Sequence, residues 1–200
     1  MKSNNYKHAL VIGAENLSKS LDWEDRGTCV LFGDGAGAAI LSKSDDLGLM
    51  SSFCKSEGSK YKCITIEGND VDSPFVENKT IRHSKLKMDG GEVFKFATSV
   101  IVSSINKILK ENNLNINDID YIIPHQANVR IIQYAAKKLK VDMDKFYINM
   151  EEYGNTSGAS IPIALSDMDE KGLLKKDSKI ILVGFGAGLT YGATLINWAI

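Results

Sequence analysis

Apolar positions along the chain change their period near the middle. Residues 8–13 (HALVIG) form an unbroken run of aliphatic side chains, the pattern expected of a buried parallel strand. Residues 28–32 (TCVLF), the glycine-rich GDGAG and residues 38–41 read as a strand, a tight turn and a further strand. No helical period appears over residues 42–85, which read as loops and edge strands with short pieces such as CITIEG. Then Asp89-Gly90-Gly91-Glu92 shows the spacing of a capping box, and Phe94, Ala97, Ile101, Ile105 and Ile108 recur at intervals of three and four. That spacing predicts a long amphipathic helix over 92–111. A strand over 120–123, an HQAN turn and a helix with Ile132, Ala135, Ala136 and Leu139 on one face follow. The pattern repeats with a strand over 145–149, a turn EEYGNTSGAS into a helix through about 170, a buried strand over 179–185, a glycine-rich turn and a last strand to 198. Strands alternating with helices in this way predict an α/β layered fold. Gly37-Ala38-Ala39-Ile40-Leu41 also echoes Gly192-Ala193-Thr194-Leu195-Ile196, each closing a strand pair, as a duplicated unit would.

Composition narrows the class. Of 200 residues, 44% are apolar and 24% charged, with three prolines, as in a soluble globular chain without long disordered tracts. The balance of 24 Lys and Arg against 25 Asp and Glu leaves no global basic field, so a nucleic-acid partner is not expected. Cys29, Cys54 and Cys63 are odd in number and lack CxxC spacing, which argues against a disulfide framework or structural zinc and for reduced thiols in a cytoplasmic location. The first residues hold too short an apolar run for a signal peptide, and no window reaches the length of a membrane span. The sequons at Asn78 and Asn155 therefore carry no weight.

Two polar residues change the picture. His125 follows a predicted parallel strand, and ligands of open α/β sheets bind beyond the carboxyl ends of strands. A satisfied structural histidine is the plain alternative. Asn155 occupies the equivalent place after the next strand, where it also suits a helix cap. An amide and a neutral imidazole both supply N–H donors, and two aimed donors suit an oxyanion such as the enolate formed when a thioester loses an adjacent carboxylate. Phe185-Gly186-Ala187-Gly188 could bring backbone N–H groups to the same place, or serve as an ordinary turn. Each GxG stretch leads into a strand instead of a helix, which argues against a nucleotide cofactor.

The motifs DRGTCVLFGDGAGAAIL, HQANVRI, YGNTSGASIP and GFGAGLTYGA, in that order, resemble β-ketoacyl-acyl carrier protein synthase III of the thiolase-like superfamily. The resemblance covers essentially the whole chain and corresponds to roughly the last three-fifths of a family member. It implies a thiolase-like fold: residues 1–45 as the end of an N-terminal half, 46–87 as connecting loops and edge strands, and 88–200 as a complete C-terminal half. It also implies the decarboxylative condensation of acyl-CoA with malonyl-acyl carrier protein that starts fatty acid synthesis. His125 and Asn155 match the family's catalytic His and Asn, and Ala187 its oxyanion-hole backbone, where a Gly is common. Arg26, Gly91, Phe94 and Ala127 match positions that contact CoA and its pantetheine, although relatives often carry Asn where Gly91 stands. Arg130, with Lys137 and Lys138 beyond it, matches the basic face that meets the carrier protein.

The family's acyl-accepting Cys has no counterpart among the three present, so the chain is expected to be a C-terminal portion, inactive alone, using no cofactor beyond the CoA thioester substrate. Apolar faces left open by truncation imply a homodimer or poor solubility. The rival readings are a non-catalytic module that binds carrier protein, half of a split enzyme, or another thiolase-like condensing enzyme.

Overall fold

The computed structural model describes residues 6–44, 48–66, 68, 73–75 and 85–200. Its strands and helices run β1 (His8–Glu15), β2 (Gly35–Ser42), β3 (Leu49–Ser56), β4 (Ile64–Ile66), β5 (Leu86–Met88), α1 (Gly90–Glu111), β6 (Tyr121–Pro124), α2 (Val129–Leu139), a single turn α3 (Met150–Tyr153), α4 (Ser160–Glu170), β7 (Lys179–Gly186) and β8 (Thr190–Asn197). The sequon at Asn78 and part of the expected connecting region, including residues 76–84, lie outside the described residues.

The central sheet has the order β3-β8-β7-β6, with β6 parallel to β7 and the other pairs antiparallel. Its consecutive apolar residues are explained by cover on both faces. Ile181 and Val183 of β7 pack with Ile101, Ile105 and Ile108 of α1 and Ile132 and Ala135 of α2. Ile180 faces the other way, with Ala164 and Met168 of α4. Helix α1 starts where its cap requires: the Asp89 carboxylate accepts from the Glu92 amide at 3.0 Å. Ala97, Ile101, Ile105 and Ile108 are wholly buried along one stripe. The alternating layers agree with the predicted α/β class.

Three sequence-based expectations are corrected. Strand β1 is paired antiparallel with β2, not embedded in a parallel sheet. One face of this pair meets α4, while Leu10, Ile12 and Ile40 on the other face are 61%, 62% and 70% exposed. Residues 28–32 form turns with a single bridge at Phe32. Their amides are captured locally: Thr28 and Cys29 donate to the Asp25 carbonyl, and the Asp25 carboxylate binds the Gly27 amide and the Thr28 hydroxyl. Cys29 is therefore a half-buried turn residue, not part of a strand. Residues 145–149 make one parallel bridge, Phe146 to Ile122, in place of a strand.

The echo between strand pairs is exact in register. β1–β2 and β7–β8 each pair eight residues with eight, and Gly13 opposite Gly37 corresponds to Gly184 opposite Gly192. In the first pair the glycines admit α4 and the turn before it: a Cβ on Gly13 would lie 2.4 Å from the carbonyl oxygen of Gly158 in that turn, and one on Gly37 2.9 Å from the Ile163 nitrogen of α4. Helix α4 thus sits between two sheets, with its first turn against backbone on one side.

Candidate active site

The HQAN turn is built from the end of β6, and each residue in it has a separate task. The His125 amide continues the parallel ladder by donating to the Val183 carbonyl at 2.8 Å. Gln126, 1% exposed, donates its side-chain amide to the Pro124 and Tyr147 carbonyls at 2.9 and 3.1 Å and accepts from the Asn149 amide at 3.3 Å. This ties the turn to the segment that leads to Asn155. Asn128 caps α2 by accepting from the Arg130 amide at 2.9 Å. The backbone on both sides of His125 is therefore fixed.

The ring of His125 is recessed in an open cavity of about 950 Å³, which Asn155 also lines. Phe185 packs edge-on against the imidazole, with ring centroids 5.3 Å apart. Burial pushes the imidazole down from 6.5 to about 4, so the ring is neutral at physiological pH and can offer an N–H without carrying charge. Asn155 is 7% exposed, and its Oδ1 accepts from the Ser157 amide at 3.0 Å. With the side-chain oxygen engaged, the amide NH2 is the group left for the cavity. Asn155 is therefore not the helix cap that the sequence also allowed: the cap position of α4 is Ala159, and the contact to Ser157 closes a local turn ahead of the helix. Gly33, next to the bridge at Phe32, donates its amide to the Asn155 carbonyl at 2.8 Å and holds this backbone from the opposite side.

Of the remaining candidates, Phe94, Ala127 and Ala187 line the cavity. Ala187 is absent from the residues with positive φ, so the methyl that replaces the common Gly causes no strain there. Arg26, Gly91 and Arg130 are exposed and do not line the cavity. A Cβ on Gly91 would meet nothing closer than the Asp89 carboxylate at 3.5 Å, so the position has room for a larger side chain. Both GxG stretches lead into strands, as read from the sequence.

Cys54, within the stretch read as loops and edge strands, lies in β3 and lines the cavity, whereas Cys29 and Cys63 do not. None of the three stands at the start of an α-helix, where a thiol's pKa is lowered. Gln126 and Ser160, which hold the His125 turn and ring, carried no sequence signal beyond ordinary buried polar residues. Among the described residues no group of three or more His, Cys, Asp or Glu is placed to hold a metal ion, and no helix is long and apolar enough to cross a membrane.

The comparison with known proteins follows the same layout. Residues 1–58 match the family 3-oxoacyl-(acyl-carrier-protein) synthase III, and residues 109–198 match its C-terminal family. The chain belongs to the 3-oxoacyl-(acyl-carrier-protein) synthase III family. The synthase III of Clostridium novyi is 59% identical over 198 residues, covering 99% of this chain and 61% of that protein. The crystal structure of the synthase III of Aquifex aeolicus superposes with a TM-score of 0.88 at 38% identity, covering 98% of this chain and 60% of that one. The synthase III of Pseudomonas aeruginosa gives 0.89 at 32% identity, with 100% and 60% covered. The chain therefore has the thiolase-like α/β fold of the synthase III family and spans about three-fifths of the length of the curated relatives it matches. Matches to both family regions include residues 1–58, so the likeness is not confined to the C-terminal half.

Proposed function

We propose that this chain provides the decarboxylating part of a β-ketoacyl-acyl carrier protein synthase III, which condenses acyl-CoA with malonyl-acyl carrier protein. The observation that carries the reading is the convergence of His125 and Asn155 on one cavity, the first neutral and the second with its oxygen already engaged. Two uncharged donors stabilise an enolate oxygen as charge develops on it, without first binding an anion that must later leave. The Ala187 backbone, which lines the same cavity, would receive the other thioester carbonyl.

Phe94 and Ala127 line the route of the pantetheine, with Gly91 at its edge, and Arg26 meets the CoA nucleotide. Arg130 on the exposed start of α2 meets the carrier protein, where basic residues speed encounter with an acidic partner. No cofactor beyond the thioester substrate takes part. The open face of Leu10, Ile12 and Ile40 supports association into a homodimer. Because Cys29, Cys54 and Cys63 all lack the setting of an activated thiol, the acyl acceptor comes from elsewhere and the chain alone does not condense.

Two measurements test this. The chain is incubated with malonyl-acyl carrier protein and loss of the carboxylate is followed by mass spectrometry; the reading requires loss that depends on His125 and Asn155. Binding without loss would favour a carrier-binding module. A second sample, incubated with acetyl-CoA and mapped by peptide, should retain no acetyl group. Stoichiometric acetylation of Cys54, the one thiol on the cavity wall, would make the chain an acyl acceptor in its own right.

A further inference from the structure

Ser160, the first residue of α4, is 2% exposed and 35 residues from His125 in sequence, yet its Oγ lies 2.7 Å from His125 Nδ1. The same oxygen receives the backbone amide of Gln126 at 3.3 Å. These two contacts are the hydrogen bonds of Ser160 Oγ among the described residues. A hydroxyl has one proton to give. If Nδ1 carried the ring proton, Oγ would accept from both Nδ1 and the Gln126 amide, and its own buried proton would have no acceptor. A buried donor left in that state is disfavoured. The opposite arrangement satisfies every group: amide to Oγ, hydroxyl to Nδ1, and the ring proton on Nε2, the nitrogen on the far side of the imidazole.

We propose that Ser160 is the positioning residue of the site, a relay between the Gln126 amide and the ring that holds His125 as its Nε2–H tautomer with that N–H turned to the cavity. The inference deepens the reading of His125 as an oxyanion donor and rests on it, since only this tautomer presents a proton to a ligand. Low basicity of the ring agrees, because a protonated imidazole would force the hydroxyl to reverse and lose its acceptor. Ser160 sits on α4 and His125 at the end of β6, so the relay also fixes the ring to the layer on the other side of the sheet.

The test is the imidazole nitrogen spectrum of uniformly 15N-labelled full chain at neutral pH, with His125 assigned by its loss in H125Q. His8 serves as the internal control: its Nδ1 also lies 2.9 Å from a serine hydroxyl, that of Ser42, but in an exposed setting. For the wild type, one tautomer is expected at His125, with the proton on Nε2 and Nδ1 shifted upfield as a hydrogen-bond acceptor. In S160A, Nδ1 moves downfield towards a free basic nitrogen while His8 is unchanged; S160T restores the wild-type position. A proton on Nδ1 in the wild type, or a His125 spectrum indifferent to S160A, overturns the proposal. Should S160A not fold, the wild-type tautomer alone decides. Since no substrate is present, the result stands apart from whether the chain takes part in condensation.

Discussion

Phe32 and Asn155 form an isolated parallel bridge, so the backbone carrying a cavity-lining amide is clamped by a segment more than a hundred residues earlier in the chain. The clamp uses the Gly33 amide. Gly33→Pro removes that donor and leaves the Asn155 carbonyl without it, which is expected to lower stability by about 1–3 kcal/mol. Gly33→Ala keeps the N–H and should change little. Urea denaturation of the two variants distinguishes a lost hydrogen bond from a general intolerance of side chains.

Asn155→Asp keeps the oxygen that accepts from Ser157 and exchanges the NH2 for a charged oxygen. The fold should persist while carboxylate loss from malonyl-acyl carrier protein drops by about a hundredfold or more, as for removal of one oxyanion donor. An activity within a few-fold of wild type would remove Asn155 from the site.

The depressed basicity of His125 sets a pH dependence of stability. Between 6.5 and about 4 the unfolded chain binds a proton that the folded chain does not, so stability rises with pH across that window and is lost as the pH falls through it. The loss attributable to the ring is on the order of 3 kcal/mol at its limit. His125→Gln should flatten this part of the profile when unfolding free energy is measured from pH 7 down to pH 4.

Behind the site, the buried Asp167 carboxylate accepts from the Tyr147 hydroxyl at 2.6 Å and the Asn149 side chain at 3.2 Å, and pairs with Lys171 at 2.9 Å. Burial alone would raise its pKa, but these hydrogen bonds overcome it and hold the carboxyl below its usual value. Asp167→Asn should cost roughly 2–3 kcal/mol, read by thermal or urea unfolding, because charged hydrogen bonds are replaced by neutral ones.

Replacing Leu10, Ile12 and Ile40 together by Thr keeps β-branched or strand-compatible side chains on β1–β2 while removing most of the open apolar face. The triple variant should sediment as a smaller species than the parent chain. A parent that is already a compact monomer by analytical ultracentrifugation would dismiss the association.

Helix α1 and strand β7 were legible because their evidence is local: an Asp89 cap with isoleucines on one stripe, and an aliphatic run long enough to need cover on both faces. His125 and Asn155 were legible as candidates because each follows a strand-like segment. Residues 8–13 misled for a physical reason: a run without alternation does not distinguish two covered faces from one covered and one open. Residues 28–32 have strand-forming side chains, but Asp25 captures the amides first. Ser160 was illegible as a partner of His125, since a hydroxyl at the start of a helix reads as a cap and its contact spans 35 residues of sequence. Such long-range hydrogen bonds leave no periodic trace.

Gly13 and Gly37 have a consequence that reaches beyond their own strands. They set the gap between the β1–β2 pair and the start of α4 with the turn before it, and that stretch of chain carries Asn155, Ser157 and Ser160 in succession. The gap works as a gauge that passes a hydrogen and stops a carbon. A methyl group at either position would act as a wedge, tilting the helix start and detuning both donors at once from a point that touches neither.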